Sequence, residues 1–358
     1  MAMLVNDARY ARLLVLGGSS NPDAAELQFK SELIRTLHER QGFNVLVVEG
    51  PPWQCSQDVT ASVTIETELI RCLGGNEQDA AWQRVARSVL AMRSAEHPLV
   101  VVGTGLSAPL REETSRYTYR VLFDRADIAS RALAARVDEL LESVGHRWDR
   151  RERVAGVLQR PDEVAVQTLD SLRRVLEADR DHHAVGTEAW ARAALGTASL
   201  EWSIRLRRAI PDPHGDLKAA VQFAASQRFR FITDTLFPNQ RLLVWTSNDN
   251  ARRSAIGSEL PTWQRPLAAG VIGSETGDRM MTLGVYSAGR DGADASTERP
   301  WLATVTAAVT SGSAYLRTWL NNAGWLRRRV PDHRNASIIP SVDFDGVVVL
   351  AAESRTRQ

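Results

Sequence analysis

Three apolar runs, each ending in glycine and separated by helical patterns, constrain this chain more than any other feature. RLLVLG (12–17), FNVLVVEG (43–50) and PLVVVGTG (98–105) lack the polar alternation of a half-exposed strand. Runs of this kind are read as strands buried on both faces, as in a parallel sheet. Between the first two, Asn21 is placed to cap a helix and Pro22 to occupy its first position. Ala25, Phe29, Leu33 and Leu37 then recur at i, i+4 spacing to about Gln41, and Gly42 ends the helix. Residues 80–95 read as a second helix. Strand, helix, strand, helix, strand predicts an α/β fold: a mostly parallel central sheet with helices on both faces.

The pattern changes in the middle of the chain. From about 110 to 230 it is helical and arginine-rich, with no alternating strand pattern, so residues 111–229 are expected to form a helical insertion or cap. The strand rhythm returns in QRLLVWTSND (240–249), RMMTLGVYSAG (279–289) and DFDGVVVLAAES (343–354). Residues 1–110 and 230–358 are therefore expected to form the α/β core. AGRDGADASTERP (288–300) reads as a polar loop.

Charge excludes some partners. A net charge of +1 with 24% charged residues gives no reason to expect nucleic acid or an anionic membrane. No apolar run approaches the ~18 residues of a membrane span. The first residues lack the layout of a signal peptide, and the cytoplasm is the expected compartment. Cys55 and Cys72 are the only cysteines; they leave a single disulfide open but make no disulfide scaffold. Of 44 basic residues, only Lys30 and Lys218 are lysines, a bias that reads as high-GC codon usage.

Few motifs carry chemistry by themselves. GTGLSA (103–108) has the spacing of a dinucleotide turn, with Asp124 near the expected acidic position. Pro109 and the polar residues after it weaken the close-packed helix such a turn needs, and a plain strand-end loop is the reading preferred. His182 and His183 are neighbours, and adjacent helical residues point different ways, a poor chelate. No nucleophile elbow and no phosphate loop is present. Neither a cofactor nor a metal is expected.

Glu49 ends an apolar strand, where side chains of parallel sheets reach the ligand crevice. A carboxylate there suits general acid–base work; pairing with one of the many arginines is the other reading. Ser247, Asn248, Asp249 and Asn250 crowd the end of a later strand, as a polar rim or simply as turn formers.

Taken together these stretches resemble the erythromycin-esterase-like hydrolases. The family's first strand ends Gly-Glu-Ser-Ser-His-Gly and leads into a helix; LGGSSNPDAAE keeps the glycine and both serines, Ser19 and Ser20. GFNVLVVEG is similar to the family's Gly-Phe, apolar strand and Glu. Trp82 resembles a family tryptophan, and RFRFITDTLFPNQRLLVWTSNDNARR its arginine-led helix followed by a strand ending His-Asn-Ala-His. The closing DFDGVVVLAAES resembles the family's last strand.

The departures fall on the family's chemistry. Its first motif Glu corresponds to Gly18, its His to Asn21 and its next Gly to Pro22; the two later histidines correspond to Ser247 and Asn250, with Asn248 kept. Glu49 and Arg228 stand where the family has Glu and Arg. The resemblance implies that His and Glu activate a water against an ester or lactone, and Gly, Asn and Ser supply no such base. Losing one base costs ~10²–10⁴-fold.

The expectation is therefore a divergent relative that binds a polyketide- or macrolide-type molecule and catalyses a non-hydrolytic step such as intramolecular cyclisation. Glu49, Arg228 and Asn21 are the expected catalytic groups. Ser20, Ser247, Asn248 and Asn250 would bind substrate. Trp190 and Trp202 would wall the cleft or pack the helical core. The alternatives are a non-catalytic small-molecule binder and an esterase rebuilt around Glu49.

Overall fold

In the computed structural model the residues described are 1–19, 21–50, 55, 64–104, 167, 170, 171, 174, 229–253, 279–287, 314–317, 330, 331, 337, 338 and 343–350. The chain divides into two compact units. One comprises Met1–Glu49, Val59–Val101 and Asn239–Gln358; the other comprises Gly50–Asp58 and Val102–Pro238.

Helix α1 (Ala2–Ala8) precedes strand β1 (Leu13–Leu16), then α2 (Ala24–Gln41), β2 (Phe43–Val48), α3 (Thr64–Cys72), α4 (Ala80–Arg93) and β3 (Val100–Gly103). A π-helical segment Phe231–Leu236 leads to β4 (Arg241–Trp245), the short α5 (Asn248–Ala251) and β5 (Met280–Ser287). β6 (Ala314–Arg317), β7 (Val330–Pro331), β8 (Ser337–Ile338) and β9 (Gly346–Leu350) follow.

Seven strands form one sheet in the order β3-β2-β4-β1-β5-β9-β6; β7 and β8 make a separate antiparallel pair. β2, β4, β1, β5 and β9 pair in parallel, and β6 runs antiparallel to β9 at the edge. The chain is thus an α/β protein with a mostly parallel sheet. All six apolar runs of the sequence are strands, with cores at the expected places. β6 was not expected, nor were α1, α3 or the β7–β8 pair.

Burial explains the unbroken apolar strands. Every residue of β1, β5 and β9 is buried, as are Leu242–Trp245 of β4. α2 packs against α4, and α4 against α3. The buried positions of α2 include Leu27, Lys30, Leu33, Ile34, Leu37 and His38, whereas Ala25 and Phe29 of the expected stripe are only half-buried. Gly42 ends α2 with φ +68°, a left-handed conformation that glycine adopts without strain.

At the amino ends of the strands, Arg241 fixes the incoming chain. Its guanidinium donates to the carbonyls of Ala8 (2.7 Å), Ala11 (3.0 and 2.9 Å) and Gln41 (2.7 Å), and it lies 4.1 Å from the centroid of the Phe43 ring. These acceptors lie at or just beyond the C-termini of α1 and α2, where carbonyls lack helical partners. At the sheet's far edge Asp7 of α1 accepts from the Tyr315 hydroxyl (3.0 Å) and the Arg317 guanidinium.

Both cysteines, Cys55 and Cys72, are disulfide-bonded. Among the described residues no helix is long and apolar enough to cross a membrane. The expected helical insertion 111–229 lies outside the described residues, apart from Gln167, Asp170, Ser171, Arg174 and Phe229, which are helical.

Candidate functional site

The strand order marks one place on the sheet. β2 leads on to β3 on one side, and its neighbour β4 leads on to β5 on the other. Neighbouring loops that diverge in this way open the crevice where doubly wound sheets bind ligands, beyond the carboxyl ends of the strands. Register aligns those ends: Val48 and Leu16 both pair with Trp245. The next residues, Glu49 and Thr246, therefore emerge side by side, and the Thr246 hydroxyl donates to the Glu49 carboxylate. Thr246 is buried while Glu49 is exposed. Glu49 is thus hydrogen-bonded by Thr246 and exposed to solvent.

The turn after β1 is built around two missing side chains. A Cβ on Gly17 would lie 2.3 Å from Asn248 Oδ1, and one on Gly18 would lie 1.9 Å from Glu26 Oε1 and 2.3 Å from Lys30 Nζ. A side chain at residue 18 would have to displace the ends of Glu26 and Lys30, whose ion pair fills the space. Glu26 and Lys30, one turn apart on α2, meet at 2.9 Å with 1% and 0% of their side chains exposed. The Ser19 amide donates to both Glu26 oxygens, at 3.1 and 3.2 Å. Burial pushes the Glu26 carboxyl above its ordinary range, and Lys30 and the Ser19 amide oppose that shift.

The pair is joined to β4 through an aromatic ring. Lys30 Nζ lies 5.0 Å from the centroid of Trp245, within cation–π range. On Trp245, Trp82 stacks at 5.9 Å with its plane inclined by 22°. Trp82 is the third residue of α4.

Asn21 does not cap α2. The cap is Asp23, whose carboxylate accepts from the Glu26 amide at 2.8 Å and from the Ser287 hydroxyl at the end of β5. A carboxylate accepts more strongly than an amide oxygen, and Asp23 sits one residue beyond Pro22, so the helix starts at Ala24. Asn21 is exposed, and its backbone amide donates to the Ser19 hydroxyl at 3.2 Å.

Asn248 is committed to the sheet. Its side-chain nitrogen donates to the Val285 carbonyl at 2.9 Å and its oxygen accepts from the Val285 amide at 3.0 Å. Its own backbone amide donates to the Gly18 carbonyl at 2.7 Å. β1 stops at Leu16 opposite Leu283, and the Asn248 amide takes over where a longer β1 would have paired with β5. Ser247 is half-buried and accepts from the Ala251 amide at 3.0 Å through its carbonyl. Asn250 lies in α5, on the backbone that follows β4. Ser20, Arg228, Trp190 and Trp202 lie outside the described residues.

The structure thus brings Glu49, Asn21, Ser247, Asn248 and Asn250 to the carboxyl ends of three adjacent strands. Sequence reasoning missed Glu26, Lys30, Thr246, Trp245 and Asp23. One signal was present: a lysine on an apolar helix face in a chain that otherwise uses arginine. Among the described residues no group of three or more His, Cys, Asp or Glu side chains is placed to hold a metal.

The same α/β fold recurs in three solved structures, one of them an erythromycin esterase. A Bacillus cereus protein superposes with a TM-score of 0.73 at 15% identity, covering 98% of this chain and 90% of that one. A succinoglycan biosynthesis protein follows at 0.71 and 11% identity, with the same coverage. An erythromycin esterase, a histidine-to-asparagine mutant in its open conformation, gives 0.62 at 14% identity, covering 97% and 92%. No family model matches the sequence, and no curated protein matches it.

Proposed function

We propose that this protein binds a polyketide- or macrolide-type small molecule at the carboxyl ends of β1, β2 and β4 and catalyses a non-hydrolytic step there, such as intramolecular cyclisation in natural-product biosynthesis. The observation that carries the reading is the Glu49–Thr246 pair at the point where neighbouring loops diverge. Around it, the positions at which the resemblance places histidines hold Asn21, Ser247 and Asn250. These groups hydrogen-bond but do not abstract protons near neutral pH.

Cyclisation needs a flexible chain held in a reactive pose, and orientation can contribute up to ~7–11 kcal/mol in favourable intramolecular cases. Glu49 is the proposed polar anchor, with Asn21, Ser20, Ser247 and Asn250 orienting the substrate by hydrogen bonds. Asn248 supports the floor beneath them. Arg228 would pair with a carboxylate or enolate, and Trp190 and Trp202 would supply apolar walls. The reading calls for no cofactor.

One observation favours a second reading. Glu49 is exposed at the end of β2, so an esterase rebuilt on this one carboxylate is the competing activity. Incubation with linear and cyclic polyketides, followed by mass spectrometry, separates the two. A product of unchanged mass is expected; a gain of one water would replace cyclisation with hydrolysis. Tight binding with no product over long incubation would leave a binder. Glu49→Gln is expected to lower turnover by ~10²-fold or more if the carboxylate moves a proton.

A further inference from the structure

We infer that Glu26 and Lys30 are positioning residues: a buried ion pair on α2 that sets the β1 turn through the Ser19 amide and the β4 end through the Trp245 ring. The inference rests on the reading that the carboxyl ends of these strands form the site. Neither residue reaches solvent, so neither is a catalytic residue.

The pair sits where structure alone would not choose charge. Every other buried position of α2 is leucine or isoleucine, apart from His38 at its end. An ion pair removed from water is often no better than an apolar pair of the same volume, so stability is a weak reason to keep one. Its geometry supplies another reason. Glu26 takes the Ser19 amide on both oxygens, which orients the turn that carries Ser19, Ser20 and Asn21. Lys30 faces the ring of Trp245, the residue before Thr246, whose hydroxyl holds Glu49. Gly18 leaves the room in which the two charges meet. A compact ammonium fits between a carboxylate and a ring face, whereas a planar guanidinium needs a wider slot. That fits the presence of one of this chain's two lysines at this point.

The resemblance noted from the sequence puts a carboxylate at residue 18. Here the carboxylate comes from the helix and occupies the place that a residue-18 side chain would take. The buried pair orders the turn from behind, through the Ser19 amide.

The test uses the full chain and a neutral pair of similar shape, Glu26→Gln with Lys30→Met. Two readouts are followed beside the Tm: exchange of the Ser19 amide, and binding of erythromycin as the probe by calorimetry. A Tm within about 3 °C of wild type is expected, since no unpaired charge remains. Ser19 exchange should nevertheless quicken by about tenfold or more, and probe affinity should fall by about tenfold. Unchanged Ser19 exchange at wild-type Tm would overturn the positioning role, whatever the probe does. If exchange quickens and the wild type binds no macrolide, the positioning role stands and the proposed substrate class falls. Trp245→Phe covers the case in which the neutral pair does not fold. It keeps the packing but shrinks the ring beneath Lys30, and it is expected to speed exchange of the Thr246 amide, which donates to Leu16 at 3.0 Å. Wild-type exchange at both Ser19 and Thr246 in that variant would also overturn the inference.

Discussion

At the amino ends of the strands, Arg241 donates to three carbonyls and lies against Phe43; at the carboxyl ends, Lys30 meets one carboxylate and a ring, away from water. Arg241 belongs to β4 and Lys30 to α2, and each is a cation set among largely apolar neighbours. The first satisfies acceptors that two helix ends leave over, and its role is complete within the fold. The second is matched to a carboxylate that is itself buried, next to an exposed Glu49 and a rim of Asn and Ser. Where a charge is used to close the chain, its surroundings are saturated backbone. Where charges are set against each other beside an open edge, the arrangement points to a surface that must be held in one shape.

Substitutions test this contrast, and the largest effect is expected at the buried pair. Lys30→Met alone leaves Glu26 buried without its partner and should cost about 3–5 kcal/mol in denaturant unfolding. Most of that loss should return when Glu26→Gln is added. Equal stabilities for the single and double variants would mean that the two charges do not depend on each other. Arg241→Met should cost about 2–3 kcal/mol through lost charged hydrogen bonds, while binding at the opposite edge stays unchanged. A loss of ligand binding in that variant would erase the distinction between the two ends.

Gly18→Ala should cost about 1–3 kcal/mol, because its Cβ would meet Glu26 and Lys30. Combined with Glu26→Gln and Lys30→Met it should deviate from additivity, as neighbours sharing one space do.

A smaller effect is expected from pH. Burial raises the carboxyls of Glu26 and Asp345 above their ordinary 4.5 and 3.8; Lys30 opposes the first shift, Arg253 and Thr282 the second. Each group therefore holds its proton more tightly folded than unfolded. The stability this contributes is complete below the unfolded values and is lost as pH rises through the folded ones. Unfolding free energy should decline over that interval, and the slope should flatten in the Glu26→Gln, Lys30→Met variant. The smallest change in stability belongs to Glu49→Gln, within about 0.5 kcal/mol for an exposed side chain. Turnover should fall much further, which would separate the residue's chemistry from its packing.

The sheet was legible because buried parallel strands are written as continuous apolar runs, and all six were found. β6 escaped because AYLR is four residues long and carries a charge that pairs with Asp7, so nothing in it reads as a run. The start of α2 was placed two residues early. Asn21-Pro22 has the form of a cap and first turn, but Asp23 caps more strongly and is also held by Ser287, 264 residues away. Glu26 and Lys30 were invisible for a related reason. A Glu–Lys pair at i, i+4 is the ordinary signature of a solvated helix face, and only the fold shows that this face points inward. Glu49 directly follows β2, where the apolar run puts it, but its exposure follows from where β2 ends, which no local pattern specifies.

The Asn248 amide does the work of a strand residue, giving and taking one hydrogen bond with Val285. An aspartate has the same outline but no N–H, and would set a negative oxygen against a carbonyl. Spontaneous loss of ammonia from this one side chain would therefore turn an attraction into a repulsion at Val285, just beyond the point where β1 stops. Ageing of the molecule has a defined place to begin.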